Sequence, residues 1–142
     1  LIIDAGTEQG VAENMLVVAN GGLAGIVTNV ESSSANVKLL TNSDEFTKIP
    51  VKMSTQSGDI YGILYGYDSD SNSFVVNQLN SMDEIKIDSN VVTSNLAGTT
   101  PANIQVGKVK SISSTSNNLN REVLIEPTTD FSEIYSVLLV EE

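Results

Sequence analysis

Residues 15–27 read MLVVANGGLAGIV, and this stretch predicts two β-strands joined by a tight turn. Apolar runs stand on both sides of Asn20-Gly21, a dipeptide that favours a type I′ turn because both positions must tolerate a positive φ. Similar strand signals recur about every eight to twelve residues, separated by Gly, Asn and Ser, which is typical of an all-β sandwich or barrel. The further candidate strands are residues 36–40, 49–54, 60–67, 73–78, 91–94, 104–112, 121–126 and 137–140.

The composition of the 142 residues excludes several functions. Seven basic residues stand against eighteen acidic ones, and the net charge of −11 disfavours binding to nucleic acid or to an anionic membrane surface. The chain has no Cys and no His, which excludes disulfides, thiolate metal sites and a Ser-His-Asp triad. We therefore expect no cofactor, no bound metal and no catalytic residues.

The first residues indicate a piece of a longer protein. The sequence starts Leu1-Ile2-Ile3, without Met and already in a strand-like run. No apolar run approaches the ~20 residues of a helical membrane span. Any membrane anchor is therefore expected in a part of the protein that this fragment lacks.

One acidic stretch resembles the beginning of a calcium-binding loop. Residues 68–72 read DSDSN, but Ser73 stands where such a loop needs Gly, and Leu79 stands where it needs a bidentate Glu. The stretch lies between two candidate strands, so we interpret it as a polar hairpin turn.

Three of the four tyrosines lie on one candidate strand, residues 60–67. A period of two places Tyr61, Ile63, Tyr65 and Tyr67 on one face of this strand. The rings would then either fill a barrel interior or form an exposed patch that binds a partner, because Tyr is enriched in interfaces. We take these four residues as the candidate partner-binding site and keep the core interpretation as the alternative.

The sequence is similar, in an ordered series of motifs, to the family of the rod shape-determining protein MreC. Residues 91–98 read VVTSNLAG and 104–109 read IQVGKV, against the family's V-V-T-S-G-L-G-G and I-x-V-G-x-V. Residues 22–27, GLAGIV, resemble G-L-V-G-K-V, and residues 127–131, PTTDF, resemble P-x-x-D-F. Asn14, Asn95 and Asn103 stand where the family usually has Gly. Asn is the next residue most tolerant of a left-handed backbone, so we expect these turns to survive.

This resemblance implies a fold and a function. The fold is two small β-barrels packed together in a chymotrypsin-like arrangement without catalytic residues. The function is that of a non-enzymatic scaffold that organises peptidoglycan synthesis on the outer side of the cytoplasmic membrane, in a protein with one membrane helix. The implied partners are a class B penicillin-binding transpeptidase, the membrane protein MreD and further copies of the protein itself.

The two implied barrels require a division of the chain. A faint internal repeat, in which the pattern of residues 14–39 returns at residues 90–125, would supply the two halves of the larger barrel. Residues 1–48 and 94–142 would build the larger barrel together, and residues 49–93 would form the smaller one.

Two other functions stay open on the residues alone, a β-barrel hydrolase with an unusual Ser-Lys or carboxylate pair and a carbohydrate-binding β-module. The missing His and nucleophile motifs disfavour the hydrolase, and the small number of aromatic residues disfavours the carbohydrate-binding module.

Overall fold

Antiparallel strands make up nearly all of the regular structure of this chain. The structure is a computed structural model that describes residues 1–41, 48–95, 100–113, 121–132, 134 and 137–140. A 3₁₀ turn at Thr7–Gln9 accompanies the strands. The strands are β1 (Ile2–Ile3), β2 (Leu16–Ala19), β3 (Gly22–Val30), β4 (Ala35–Leu39), β5 (Ile49–Thr55), β6 (Gly58–Asp68), β7 (Ser73–Asn77), β8 (Asn90–Thr93), β9 (Gln105–Ser113), β10 (Glu122–Pro127) and β11 (Leu138–Val140). In the described part of the chain, no helix is long and apolar enough to cross a membrane.

The strands form two units. Six of them close into a barrel in the order β10-β7-β6-β5-β8-β9. The other five form an open sheet in the order β1-β4-β3-β2-β11. The predicted all-β architecture is confirmed, with one closed barrel and one curled, open sheet as its two units.

The turn that first indicated strands is present. Asn20 and Gly21 join β2 to β3 and have φ values of 52° and 81°, as a type I′ turn requires. Asn14 and Asn103 also have positive φ, at 71° and 66°, so two of the three asparagines occupy the left-handed region expected of them. Asn95 is not among the described residues with a positive φ.

The strand pairing differs from the division predicted from the sequence. That division joined residues 94–142 to residues 1–48, but β9 and β10 pair with β8 and β7 of the closed barrel. Only β11 joins the open sheet, by pairing with β2. The physical reason is barrel closure, because four strands from residues 49–93 are too few to close around a packed interior. The two halves of the internal repeat therefore lie in different units.

One hydrophobic core is shared by the two units. Four residues of the open-sheet unit are buried together with the apolar interior of the closed barrel. They are Leu16, Leu23, Ile26 and Leu40. The concave side of the open sheet has a second, smaller core. Its buried members are Val11, Val17, Val27, Ala35 and Val37.

A buried threonine fixes the exit of the closed barrel against the β2–β3 hairpin. Thr129 is 5% exposed, and its Oγ1 lies 3.0 Å from the carbonyl oxygen of Ala19 and 3.2 Å from that of Leu23. A Cβ on Gly22 would lie 2.8 Å from Oγ1 of the same threonine. Glycine at position 22 therefore allows the two units to approach this closely.

The acidic stretch 68–72 is a hairpin turn between β6 and β7. The Asp68 carboxylate accepts hydrogen bonds from the Asp70 amide at 3.1 Å and from the Ser71 hydroxyl at 3.0 Å. Asn72 takes a positive φ of 52°. The turn interpretation is confirmed, and the carboxylate serves to hold the turn.

Candidate functional site

The predicted partner-binding residues lie on β6, which alternates regularly up to Leu64. Ile60 and Leu64 are 1% and 0% exposed and belong to the barrel core. Tyr61 and Ile63 are half-buried and lie on the opposite, outer face. Ile63 stands across from Pro50 of β5. This part of the strand presents apolar side chains to the outside of the barrel.

The alternation is interrupted by a β-bulge at Tyr65. Leu64 pairs with Val76 of β7, whereas Gly66 pairs with Val75, so Tyr65 has no partner of its own. Such an extra residue reverses the faces of every residue that follows it on the strand. Tyr67 consequently shares the inner side of β6 rather than the outer side.

The ring of Tyr67 packs against the barrel core. Its centroid lies 5.9 Å from that of Phe74 at an interplanar angle of 71°, and Phe74 contacts Phe131 in a similar edge-to-face geometry. Phe74 is fully buried. Burial, together with the charge of Asp68, raises the pKa of Tyr67 above its ordinary value. The prediction that all four residues share one face is therefore wrong for Tyr67, because the bulge shifts the strand by one residue.

Tyr65 forms a contact across the outer face of the barrel. Its hydroxyl donates a hydrogen bond to Oε2 of Glu122 on β10, and β7 lies between the two strands. Burial and the adjacent Glu122 carboxylate raise the pKa of Tyr65 to about 12. The phenol therefore stays protonated at physiological pH and acts as a hydrogen-bond donor.

A shallow cavity of about 380 Å³ lies beside Tyr61 and Ile63. Pro50, Tyr61 and Ile63 supply apolar walls, and its remaining lining residues are Val51, Gly62, Gln78, Asn80 and Ser94. Asn80 holds this edge through two hydrogen bonds to the main chain of Tyr61. Its side-chain Oδ1 accepts from the Tyr61 amide, and its backbone amide donates to the Tyr61 carbonyl, both at 3.0 Å. Apolar walls with polar groups at the rim suit a protein–protein contact.

One polar atom near this cavity has no hydrogen-bond partner. Oδ1 of Asn77, the residue that pairs with Ile63, is buried and unpaired. Leaving such an atom unpaired costs about 1–3 kcal/mol. The sequence pattern gave no sign of Asn77, since its importance depends on its position opposite the outer face of β6.

The outer face of β6 combines aromatic, aliphatic and hydroxyl groups. No group of three or more acidic side chains within the described ranges gathers as a possible metal site. The sequence has neither His nor Cys. Tyr61 and Ile63 supply aromatic and aliphatic contact area on this face, and the hydroxyl hydrogen of Tyr65 is already donated to Glu122.

Comparisons with known proteins give one consistent result. The family model described as the rod shape-determining protein MreC, barrel core, matches residues 1–141. The cell shape-determining protein MreC of Streptococcus pneumoniae is 40% identical over 140 residues, which are 99% of this chain and 52% of that protein. The chain spans about half the length of the curated relatives it matches.

Solved structures have the same fold. The major periplasmic domain of the cell shape-determining filament MreC, in a monoclinic crystal form, superposes with a TM-score of 0.88 at 39% identity, covering 100% of this chain and 87% of that one. A complex between penicillin-binding protein PBP2 and MreC from Helicobacter pylori matches with a TM-score of 0.61 at 25% identity, covering 82% of this chain and 71% of that one. With a family model that covers nearly its whole length, this chain belongs to the family of the rod shape-determining protein MreC.

Proposed function

We propose that this chain is the scaffold domain of a cell-shape protein, and that it recruits and regulates peptidoglycan synthesis enzymes without being an enzyme itself. The observation that carries the proposal is the family membership, because the curated relatives are cell shape-determining proteins. The complex of the Helicobacter pylori relative with a penicillin-binding protein supports recruitment as the mode of action.

The partner we propose is a class B penicillin-binding transpeptidase, bound at the outer face of β6. Tyr61 and Ile63 would supply apolar contact area beside the cavity of about 380 Å³. The Tyr65 hydroxyl, held by Glu122, would mark one end of the surface. Tyr67 contributes indirectly, since its ring anchors the strand in the core.

The wider setting of the protein is also part of this proposal. The domain would act on the outer side of the cytoplasmic membrane, in agreement with the matching structure of a periplasmic domain. The full-length protein would be held by one membrane helix, would contact the membrane protein MreD and would self-associate. Membrane contact of this domain itself is not expected at a net charge of −11.

The test is biolayer interferometry between the chain and the extracellular region of a class B transpeptidase from the same cell. The double variant Tyr61→Ser/Ile63→Ser removes the apolar walls of the cavity. The control is Ile87→Ser, which removes an apolar side chain that is 55% exposed elsewhere on the closed barrel.

Saturable binding that the double variant weakens at least about tenfold, with the control unchanged, supports both the scaffold role and the surface. Binding that both variants leave unchanged supports the scaffold role and contradicts this surface. Absence of binding by the wild-type chain contradicts direct recruitment of the transpeptidase.

A further inference from the structure

The two end strands of the open sheet line one cavity. In the order β1-β4-β3-β2-β11, β1 and β11 are the unpaired ends of the described sheet. Both nevertheless line the same cavity of about 410 Å³. Its lining residues are Leu1, Ile2, Ile3, Asp4 and Ala5 on one side and Ile134, Val137 and Leu139 on the other. The sheet therefore curls until its two edges face each other across an apolar gap.

This gap leads into the second core of the protein. Ile3, Ala5, Val137 and Leu139 line the cavity and also pack against the core on the concave side of the sheet. The neighbouring unit closes with six strands, whereas this sheet has five. Among the described residues, no strand lies between β1 and β11 to cover the concave core.

The edge at β1 carries main-chain groups suited to such a strand. The Leu1 amino group lies 3.3 Å from the Val37 carbonyl oxygen, and the Val37 amide donates to the Leu1 carbonyl oxygen at 2.7 Å. In antiparallel pairing the next residue, Ile2, then points its amide and carbonyl away from β4. The Ile2 side chain is 73% exposed and Leu138 on β11 is 69% exposed, so both edges also present apolar surface.

The charge distribution indicates the character of the occupant. All lysines and arginines lie between Lys38 and Arg121, so every charged side chain in the segments 1–37 and 122–142, which supply both edges, is acidic. Asp4 lines the cavity itself. At this gap a second copy of this chain would bring the same acidic residues, whereas a segment with Lys or Arg at its ends would be attracted, so self-association is assigned to other surfaces.

We propose that the gap between β1 and β11 binds an extended segment of another protein as a sixth strand of this sheet. The segment has apolar side chains at alternate positions and basic residues at its ends. Main-chain hydrogen bonds to the strand edges give affinity, and the alternate side chains enter the cavity. This surface is separate from the outer face of β6, and its occupation does not depend on transpeptidase binding.

The test uses the synthetic peptide Lys-Lys-Val-Thr-Val-Thr-Val-Lys-Lys with blocked ends, titrated into the chain by isothermal calorimetry. We expect saturable 1:1 binding, and we expect the amide of Ile2 to become protected from hydrogen exchange. The same peptide with N-methylated valines cannot donate from those positions and is expected to bind at least about tenfold more weakly. A peptide with Glu in place of Lys is expected not to bind.

Two variants locate the peptide on the chain. Ile2→Lys adds a positive charge at the edge and is expected to weaken binding at least about tenfold. Its control, Ile87→Lys, makes the same change at an exposed isoleucine on the other unit and is expected to leave binding unchanged. If Ile2→Lys lowers the melting temperature, Asp4→Asn at an exposed position replaces it, with weaker binding expected.

Three results would overturn the proposal. The first is absence of saturable binding by the wild-type chain. The second is equal affinity for the N-methylated peptide, which would indicate apolar adsorption rather than strand pairing. The third is a dimer in sedimentation velocity that Ile2→Lys dissociates, which would assign the gap to a second copy.

Discussion

The Tyr65 hydroxyl donates a hydrogen bond to the Glu122 carboxylate although the two residues are 57 positions apart. Tyr65 is the extra residue of the β6 bulge, and Glu122 begins β10, so the contact spans the outer face of β7. The bulge therefore does two things at once. It turns Tyr65 toward a distant carboxylate and it returns Tyr67 to the core.

The Tyr65–Glu122 contact predicts a specific titration. Burial is the largest cause of the raised pKa of Tyr65, about 12, and the Glu122 carboxylate adds to it. Glu122→Gln is therefore expected to lower this pKa toward, but not fully to, the ordinary value of about 10. The measurement is the ¹³Cζ shift of Tyr65 against pH.

The same titration affects stability in the alkaline range. A tyrosine whose pKa is higher in the folded state stabilises the fold below about pH 10, and this contribution is lost as the pH rises toward 12. Urea denaturation at pH 9 and pH 11 should show a larger loss for the wild type than for Glu122→Gln. Equal losses would contradict a hydrogen bond between these side chains.

Tyr61 and Tyr67 are expected to respond differently to truncation. Tyr67→Ala removes a ring that packs on Phe74 and is expected to cost about 1–3 kcal/mol, less than a fully buried aromatic residue. Tyr61→Ala, on the outer face, is expected to leave the melting temperature nearly unchanged. Thermal denaturation of both variants decides the matter, and Tyr67→Phe serves as the control that retains the ring. A melting temperature of Tyr67→Ala equal to the wild type would place that ring on the surface.

The local features of the fold were predictable because they depend on single residues and short patterns. Asn20-Gly21 specifies its turn through two positive φ values, and the alternation of apolar residues specifies the strands. The family motifs gave the fold class for the same reason. Their order along the chain survives even where Asn14 and Asn103 replace glycine.

The features that were missed depend on long-range pairing. Nothing in the sequence around Tyr65 marks it as a bulge, so the simple period of two carried Tyr67 to the wrong face. The membership of β9 and β10 in the closed barrel follows from closure of the whole ring of strands. The tyrosine pattern predicted the candidate surface only up to the bulge, and its neighbours Pro50 and Asn77 come from other strands.

Two glycines on β6 are expected to respond in opposite ways to the same substitution. A Cβ on Gly62 would lie 2.8 Å from Cδ2 of Leu79 and 3.0 Å from the Asn77 carbonyl oxygen. Gly62→Ala is therefore expected to destabilise the fold by about 1–3 kcal/mol. A Cβ on Gly66 would meet nothing within 4 Å, and Gly66→Ala is expected to stabilise by about 0.4–1 kcal/mol by restricting the unfolded chain. Urea denaturation of the pair gives both values, and a stabilising Gly62→Ala would contradict the tight packing inside the barrel.

Thr129 is expected to stabilise the junction of the two units through its hydroxyl group. Because one hydroxyl hydrogen serves the carbonyls of Ala19 and Leu23, Thr129→Val leaves both buried acceptors without this donor while keeping the side-chain shape. The expected cost is about 1–3 kcal/mol in the free energy of unfolding. Thr129→Ser keeps the hydroxyl and should recover most of it, whereas Thr128→Val, at an exposed neighbour, should change little.

The shared core makes this junction a test of cooperativity as well. Leu16 and Leu23 are buried with the barrel interior, so we expect both units to unfold in one transition in the wild type. Thr129→Val is expected to lower that single transition rather than split it, because the apolar contacts remain. Two separate transitions in calorimetry of this variant would mean that the threonine hydrogen bonds, and not the shared core, couple the closed barrel to the open sheet.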